Sequence, residues 1–511
     1  MSPVDISPAT AFAHVARRAP HTVSLTGDAG PMTAAEVQAC VEHLAVELAA
    51  AGVGVGDRVA YLGRNSPDLL ITLLASAHLG AVFVPLNFRL AVPEARQVLQ
   101  HCDARVAVVE PDLTELCASL RDHVPVGRWL GCPSSAAHAA ARTPDRPVPP
   151  RVPREFDDLA LLMYTSGTTG RPKGVMLTHG NLWWSATDVD EVFDTRPDDV
   201  TLAVAPLFHI GGLNAFTLRT LVRGGTVVVR RTFDAAQTLE DLLGGVTCVF
   251  GVPAMFAAVG RCAGFATADL SGVRAAIVAG APVPPALIHL YAERGMLLQQ
   301  SWGMTETAPA ATWLPAHRTL DKAGSVGLPL PHTRIRLVEP GTGAEVHEPG
   351  RPAEILVSGP NVTPGYWADE DCTRESFDVR DGVRWLRTGD LAELDDEGLL
   401  TIVGRRKHMI NTGGENVYPA EVERALCGMP GVTEVAVVGV PHPEWGETVA
   451  AVLERADGAA VDIEDVRAFA ARSIARYKLP TVVVTVAELP RNGTGKVDRA
   501  AIHALAVAAA P

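Results

Sequence analysis

From Thr33 onward, apolar positions recur every three or four residues as far as Gly52, and Thr33 with Glu36 forms a capping box, which predicts a helix there. The pattern then shifts to short unbroken apolar runs, Val59 to Leu62, Ala81 to Pro85 and Val106 to Val109. Helical stretches from Pro67 to Leu79 and from Pro93 to His101 separate them. Such alternation predicts parallel α/β layers. Further strands are expected at Thr226 to Val229, Thr247 to Phe250, Ala275 to Val278 and Met296 to Gln300. The run Leu69 to Phe88 approaches the apolarity of a membrane span, but His78, Gly80, Pro85 and Asn87 interrupt it, so a helix followed by a buried strand is expected. Residues 131–157, rich in Ala, Pro and Arg without a period, read as a surface linker. Past residue 404 the elements become shorter: helix 419–428, strands 433–440 and 447–453, helix 463–475 and strand 481–487, a unit of a size that can fold alone. Two domains are therefore expected, 1–403 and 404–511.

Composition narrows the function. With 44 basic residues against 58 acidic ones the net charge is −14, which excludes a general attraction to nucleic acid. Eight cysteines show no C-x-x-C pair and no Cys/His ligand spacing, so neither a zinc site nor a disulfide framework is expected. No N-terminal apolar h-region stands out, and a cytoplasmic location is expected.

Against that acidic background, Tyr164 to Gly174 reads YTSGTTGRPKG. Gly167, Gly170 and Gly174 can expose backbone N–H groups, Thr165, Ser166, Thr168 and Thr169 add hydroxyls, and Arg171 and Lys173 add positive charge. This is a phosphate grip, but not a Walker A loop, because Pro172 and Gly174 stand where that pattern requires Gly and Ser or Thr. Ser301 to Glu306 offers an aromatic plane in Trp302, then Gly303, Met304, the Thr305 hydroxyl and the Glu306 carboxylate. A base could stack on the first, and Mg²⁺ could be held by the last. Arg387 to Leu391 places Asp390 just past an expected tight turn, where it could accept ribose hydroxyls. His209 ends a strand beside Gly211 and Gly212, and Lys496 stands in a glycine-hinged loop near the C-terminus.

Together these motifs resemble the adenylate-forming superfamily of acyl-CoA synthetases, peptide-synthetase adenylation domains and beetle luciferases, over nearly the whole chain. The resemblance implies a large N-terminal domain of layered β-sheets and helices with a small mobile α+β C-terminal domain. It further implies that Thr165, Ser166, Gly167, Thr168, Thr169, Gly170 and Lys173 grip the β,γ-phosphates. Gly280, Ala281, Pro282, Trp302, Gly303 and Met304 would bind the adenine side, Thr305 the α-phosphate, Glu306 the Mg²⁺, and Asp390 with Arg405 the ribose. His209 resembles the gate between the ATP and acyl pockets, Lys407 and His408 the hinge, Gly413, Gly414 and Glu415 the pantetheine tunnel, and Lys496 the adenylation lysine. In this chain Trp302 replaces the commoner tyrosine and His408 the usual Asp, so a hinge titrating near neutral pH is expected.

The chemistry so implied is activation of a carboxylic acid by ATP as acyl-AMP, then thioester formation with coenzyme A. Leu207, Phe208, Leu213 and Phe216 are expected to make an apolar wall, with Gly211, Gly212, Gly280 and Gly303 leaving room for a medium- or long-chain fatty acid or an aryl acid. Two alternatives keep the adenylation half: transfer to a carrier protein's phosphopantetheine thiol, and nitrite activation for diazotisation of an amine. A third is a non-catalytic nucleotide-binding protein. Homo-oligomerisation stays open.

Overall fold

The computed structural model describes residues 4–132, 146–166, 172–412, 415–443, 445–455, 461–492 and 496–510. Two sheets organise the larger of two compact units, which comprises Met1–Ala323, Gly327–Arg334 and Val357–Leu386. One sheet has six strands in the order Arg128–Gly131, Ala104–Val109, Arg58–Leu62, Val82–Leu86, Leu159–Ser166, Pro172–Thr178, parallel except for the last pair. The other runs Leu298–Gln300, Ala275–Val278, Cys248–Gly251, Val200–Ala203, Thr226–Val229, Val23–Gly27, Gly30–Thr33, again parallel except at the final hairpin.

The helices predicted from periodicity are present, and the Thr33 and Glu36 capping box closes as expected at the start of Ala34–Ala50. Helix Pro67–His78 is buried on every side from Asp68 to His78, in a core that also takes residues from both sheets. That is why its sequence lacks a polar face: a helix that is apolar all round belongs either in lipid or between layers. Thr72 and Ser76 satisfy their hydroxyls on the carbonyls of Asp68 and Thr72, so their burial leaves no donor unmet. Among the described residues no helix is long and apolar enough to cross a membrane.

Residues 133–145 of the expected linker lie outside the described residues. The part beyond them is not a loose connector. His78 Nε2 meets the Pro149 carbonyl at 2.8 Å, Val152 N–H donates to the His78 carbonyl, and Arg154, buried, pairs with Asp158 at 2.5 Å. Pro and Arg richness there reflects a pinned extended segment.

The smaller unit comprises Gly324–Val326, Ile335–Leu356 and Arg387–Pro511. Strand Val383–Leu394 passes into it, and Leu400–Arg405 pairs antiparallel with the second half of that strand. Beyond lies a sheet of Glu415–Val417, Ile410–Thr412, Gly446–Glu454 and Glu434–His442, with Val482–Val486 parallel to Gly446–Glu454. Helices Pro419–Leu426, Ile463–Ala470 and Arg499–Ala509 complete the unit. The helix expected over 463–475 is shorter than its periodicity, because the chain leaves the α conformation after Ala470 and enters a 3₁₀ turn at Arg476–Lys478.

Candidate active site

In the larger unit, the phosphate motif is a hairpin. Leu159–Ser166 and Pro172–Thr178 are antiparallel, with Thr165 opposite Lys173 and Gly174 opposite Tyr164. Gly167, Thr168, Thr169, Gly170 and Arg171 lie outside the described residues. Lys173 donates to Cys372 Sγ at 2.9 Å, and its ammonium sits 5.4 Å from the centre of the Tyr366 ring.

The segment Ser301 to Ala310 folds back on itself: Gly303 bridges antiparallel to Ala310, and Thr305–Thr307 makes one 3₁₀ turn. Trp302 is buried, and Thr305 is half-buried. Ala308 takes a left-handed φ of 58°, a conformation that costs a non-glycine residue roughly 1–2 kcal/mol. Its carbonyl accepts from Asn214 Nδ2 at 2.7 Å, while Asn361 Nδ2 donates to the carbonyls of Thr307 and Ala310 at 3.2 and 2.9 Å. Glu306, buried, accepts at Oε1 from the Tyr366 phenol at 2.8 Å. Burial first, and the neighbouring Glu306 next, push the phenol well above its ordinary range, so Tyr366 is the donor at any physiological pH. Asn214, Asn361 and Tyr366 were not legible as functional in the sequence. Each acts by touching a distant loop, and a lone buried Asn or Tyr carries no local pattern.

His209 is the N-cap of the one-turn helix Ile210–Gly212, half-buried, with its ring centre 4.5 Å from that of Phe208. Asn65 clamps the loop before it, donating to the Ala205 carbonyl at 2.9 Å and accepting from Leu207 N–H at 2.8 Å. The expected apolar wall and its free space need correction. Leu207 and Leu213 are fully buried in the main core and Phe216 in a second one, so they back the wall instead of facing a cavity. A Cβ on Gly212 would lie 2.4 Å from the Pro206 carbonyl oxygen, and one on Gly303 would lie 2.1 Å from that of Pro309. Neither glycine leaves room: each lets two backbones touch. At Gly211 the neighbour is the Phe250 ring, 2.6 Å from such a Cβ, whereas Gly280, at φ 86°, has among the described residues only Val252 nearby, at 3.5 Å. Gly280, Ala281 and Pro282 form an exposed turn after strand Ala275–Val278.

In the smaller unit, Asp390 is not past a tight turn but inside a strand, opposite Arg405, whose Nε meets Asp390 Oδ1 at 2.6 Å. Gly389, at φ 69°, precedes it, and a register shift between Leu391 and Ala392 follows. Lys496 approaches the same pair. Partial desolvation, then the Arg405 charge, hold its amine below the ordinary lysine value, while Asp390 pulls it up; the residue as a whole remains exposed. A hairpin hydrogen bond from Asn492 N–H to the Lys496 carbonyl sets the base of its loop.

Lys407 and His408 fall in a 3₁₀ turn, Arg406–His408, directly after strand Leu400–Arg405. The expectation of a near-neutral titration at His408 is overturned. Burial, followed by the charges of Arg499, Lys407 and Arg405, pushes its imidazole down to about 4, so it is neutral at physiological pH. Glu415 begins strand Glu415–Val417, and Gly413 and Gly414 before it lie outside the described residues.

A phosphate hairpin, a Trp-to-Glu turn and a cross-strand Asp–Arg pair beside a lysine suit nucleotide activation, and comparison with known proteins agrees. Residues 12–367 match the AMP-binding enzyme family and residues 421–496 the AMP-binding enzyme C-terminal domain, so the chain belongs to that family. It is 44% identical over 483 residues to a feruloyl-CoA synthase of an Amycolatopsis species, covering 94% of this chain and 95% of that one. It is 40% identical over 477 residues to an indoleacetate–CoA ligase of Aromatoleum aromaticum, covering 91% of each. The crystal structure of ATP-bound MatB from Rhodopseudomonas palustris superposes with a TM-score of 0.86 at 32% identity, over 97% of this chain and 98% of that one. The protein is an AMP-forming acid–thiol ligase: it activates a carboxylic acid with ATP as acyl-AMP and transfers the acyl group to coenzyme A, using Mg²⁺.

Proposed function

We propose that the acid is an aryl or arylalkyl carboxylate and the acceptor free coenzyme A. The observation that carries this reading is that the feruloyl and indoleacetate ligases share 44% and 40% identity with the chain, against 36% for a long-chain fatty-acid ligase of Mycobacterium tuberculosis. Aromatic rings beside His209 support it: Phe208 lies 4.5 Å from the imidazole with the two planes tilted by 53°, Phe88 meets Phe208 edge-on at 5.7 Å, and Phe250 lies against Gly211. A panel of ferulate, indole-3-acetate, fatty acids of graded length, and nitrite with an aromatic amine tests it by AMP release, with coenzyme A, with a carrier protein and with neither. Fastest turnover on a fatty acid, turnover only with the carrier, or nitrite-dependent AMP release would each refute the reading.

For the residues, we propose the following division of work. Thr165 to Gly170 with Lys173 hold the β,γ-phosphates, Gly280 to Pro282 with Trp302 to Met304 the adenine, and Thr305 the α-phosphate. Asp390 and Arg405 hold the ribose, and His209 separates nucleotide from acid. An acid and ATP are both anions, so cations must offset their repulsion, and preorganised charge is usually the largest catalytic effect. Lys496 supplies it at the reacting carboxylate, an assignment supported by its place beside Asp390 and Arg405. Glu306 fits Mg²⁺ as a single buried carboxylate. Among the described residues no cluster of three or more metal-ligating side chains exists, and a hard cation completed by phosphate oxygens and water needs none. When bound, the ion neutralises phosphate charge. We further propose that residues 404–511 turn about Lys407 and His408 between the two half-reactions, bringing Gly413, Gly414 and Glu415 to the pantetheine. Cytoplasmic residence, proposed from the ATP and coenzyme A requirement and from eight free thiols, is checked by fractionation.

A further inference from the structure

Tyr366 belongs to none of the motifs above, yet it touches two of them. Its phenol donates to Glu306 Oε1 at 2.8 Å, and the face of its ring receives the Lys173 ammonium at 5.4 Å, with Lys173 also donating to Cys372 Sγ at 2.9 Å. The backbone around it is fastened to the strand that carries Lys173. Met176 N–H donates to the Gly365 carbonyl, Trp367 N–H donates to the Gly174 carbonyl, and Tyr366 itself bridges antiparallel to Val175. Tyr366 N–H is anchored on Thr373 Oγ1 at 3.0 Å, and the side chain is buried in the main core. The ring is therefore held by its surroundings and not by the two groups it touches.

We infer that Tyr366 is a positioning residue that fixes the Glu306 carboxylate and the Lys173 ammonium with respect to each other. The inference rests on the proposed metal role of Glu306 and phosphate role of Lys173. A phenol O–H on one carboxylate oxygen fixes the plane of the carboxylate, so a hard cation meets an oriented group instead of a rotating one. A ring face offers the ammonium a neutral partner, which orients it without cancelling the charge that a phosphate needs. One residue thus serves the metal side and the phosphate side, through different atoms.

Different atoms make the two halves separable by mutation. Tyr366→Phe removes only the hydroxyl; Tyr366→Met removes the ring and leaves a smaller, flexible apolar chain in its place. Mn²⁺ affinity of the protein–ATP complex is read by electron paramagnetic resonance, and ATP affinity in EDTA by calorimetry, so neither readout depends on turnover. Tyr366→Phe should weaken Mn²⁺ binding by about tenfold, as losing a hydrogen bond to a charged group does, and leave ATP affinity in EDTA unchanged. Tyr366→Met should in addition weaken ATP binding in EDTA by roughly threefold or more through loss of the cation–π contact. Glu306→Gln separates the failures. If it loses Mn²⁺ affinity while Tyr366→Phe does not, the role of Tyr366 falls alone. If Glu306→Gln binds Mn²⁺ like the wild type, the metal role of Glu306 falls and takes the inference with it. Equal ATP affinity in the Phe and Met variants overturns the lysine half, and the Phe variant, which keeps the core packing, tests the metal half even if the Met variant does not fold.

Discussion

Gly303→Ala distinguishes a glycine that leaves space for substrate from one that lets two backbones touch. An alanine Cβ there would stand 2.1 Å from the Pro309 carbonyl oxygen, 2.8 Å from Ala310 Cα and 2.9 Å from Thr307 Oγ1. Two of these atoms are backbone and cannot swing aside, so the Gly303 and Ala310 strands must part by roughly 1 Å to restore an ordinary contact. The hydroxyl of Thr307 offers little relief, because it donates to the Pro309 carbonyl at 2.7 Å and accepts from Met304 N–H at 2.9 Å. Overpacking of this kind costs about 1–3 kcal/mol. Because the distorted turn carries Thr305 and Glu306, the same energy should appear as a loss of roughly five- to 150-fold in kcat/KM. The assay is kcat/KM for ATP and for a series of acids from benzoate to bulkier aryl and long aliphatic acids. A backbone wedge lowers every acid by a similar factor and raises KM for ATP. Normal rates on small acids with selective loss of bulky ones would refute this reasoning and restore Gly303 as pocket floor.

Lys496→Ala should lower pyrophosphate-releasing adenylation by ~10²–10³ and leave thioester formation from supplied acyl-AMP much less affected; equal loss in both half-reactions would remove Lys496 from its role. Lys407→Pro, which locks φ near −65° and deletes a donor, should spare adenylation while thioester yield drops by orders of magnitude; parallel loss of both in a folded variant would refute the hinge. For His408 the sign follows from a folded pKa of about 4 below the ordinary 6.5: the unfolded chain takes up the proton first, so stability falls as pH drops from about 6.5 to 4 and is fully present above that window. His408→Asn should flatten the acid limb of the denaturation midpoint and leave the thioester rate between pH 6 and 7 unchanged. A midpoint with the same acid limb in His408→Asn would show that the imidazole is solvated.

Much of the fold was legible because its helices and strands differ in period. Helix Ala34–Ala50 announced its own start through Thr33 and Glu36, and strands such as Ala275–Val278 are short, apolar and bounded by turns. What escaped was set by contacts distant in sequence. Thr-Gly-Asp predicts a tight turn just before Asp390; pairing with Arg405 keeps the segment in a strand. His408 looked like a neutral-pH switch because only its own identity was visible, whereas Arg499, Lys407, Arg405 and burial decide its charge. Glycines gave the least information: Gly303 and Gly280 look alike in sequence, but one is wedged against a carbonyl and the other open. Asn361, Asn214 and Tyr366, which hold the motif loop, became visible only through their partners.

The all-round burial of helix Pro67–His78 bears on how the protein is made. The core it shares also holds Val227 and Val229, so that core cannot close until about 150 further residues have left the ribosome. At about 5–20 residues per second that is roughly ten to thirty seconds during which a helix without a polar face waits in an unfinished core. Nascent chains halted near residue 190 should therefore aggregate or recruit a holdase, and chains halted beyond residue 300 should not.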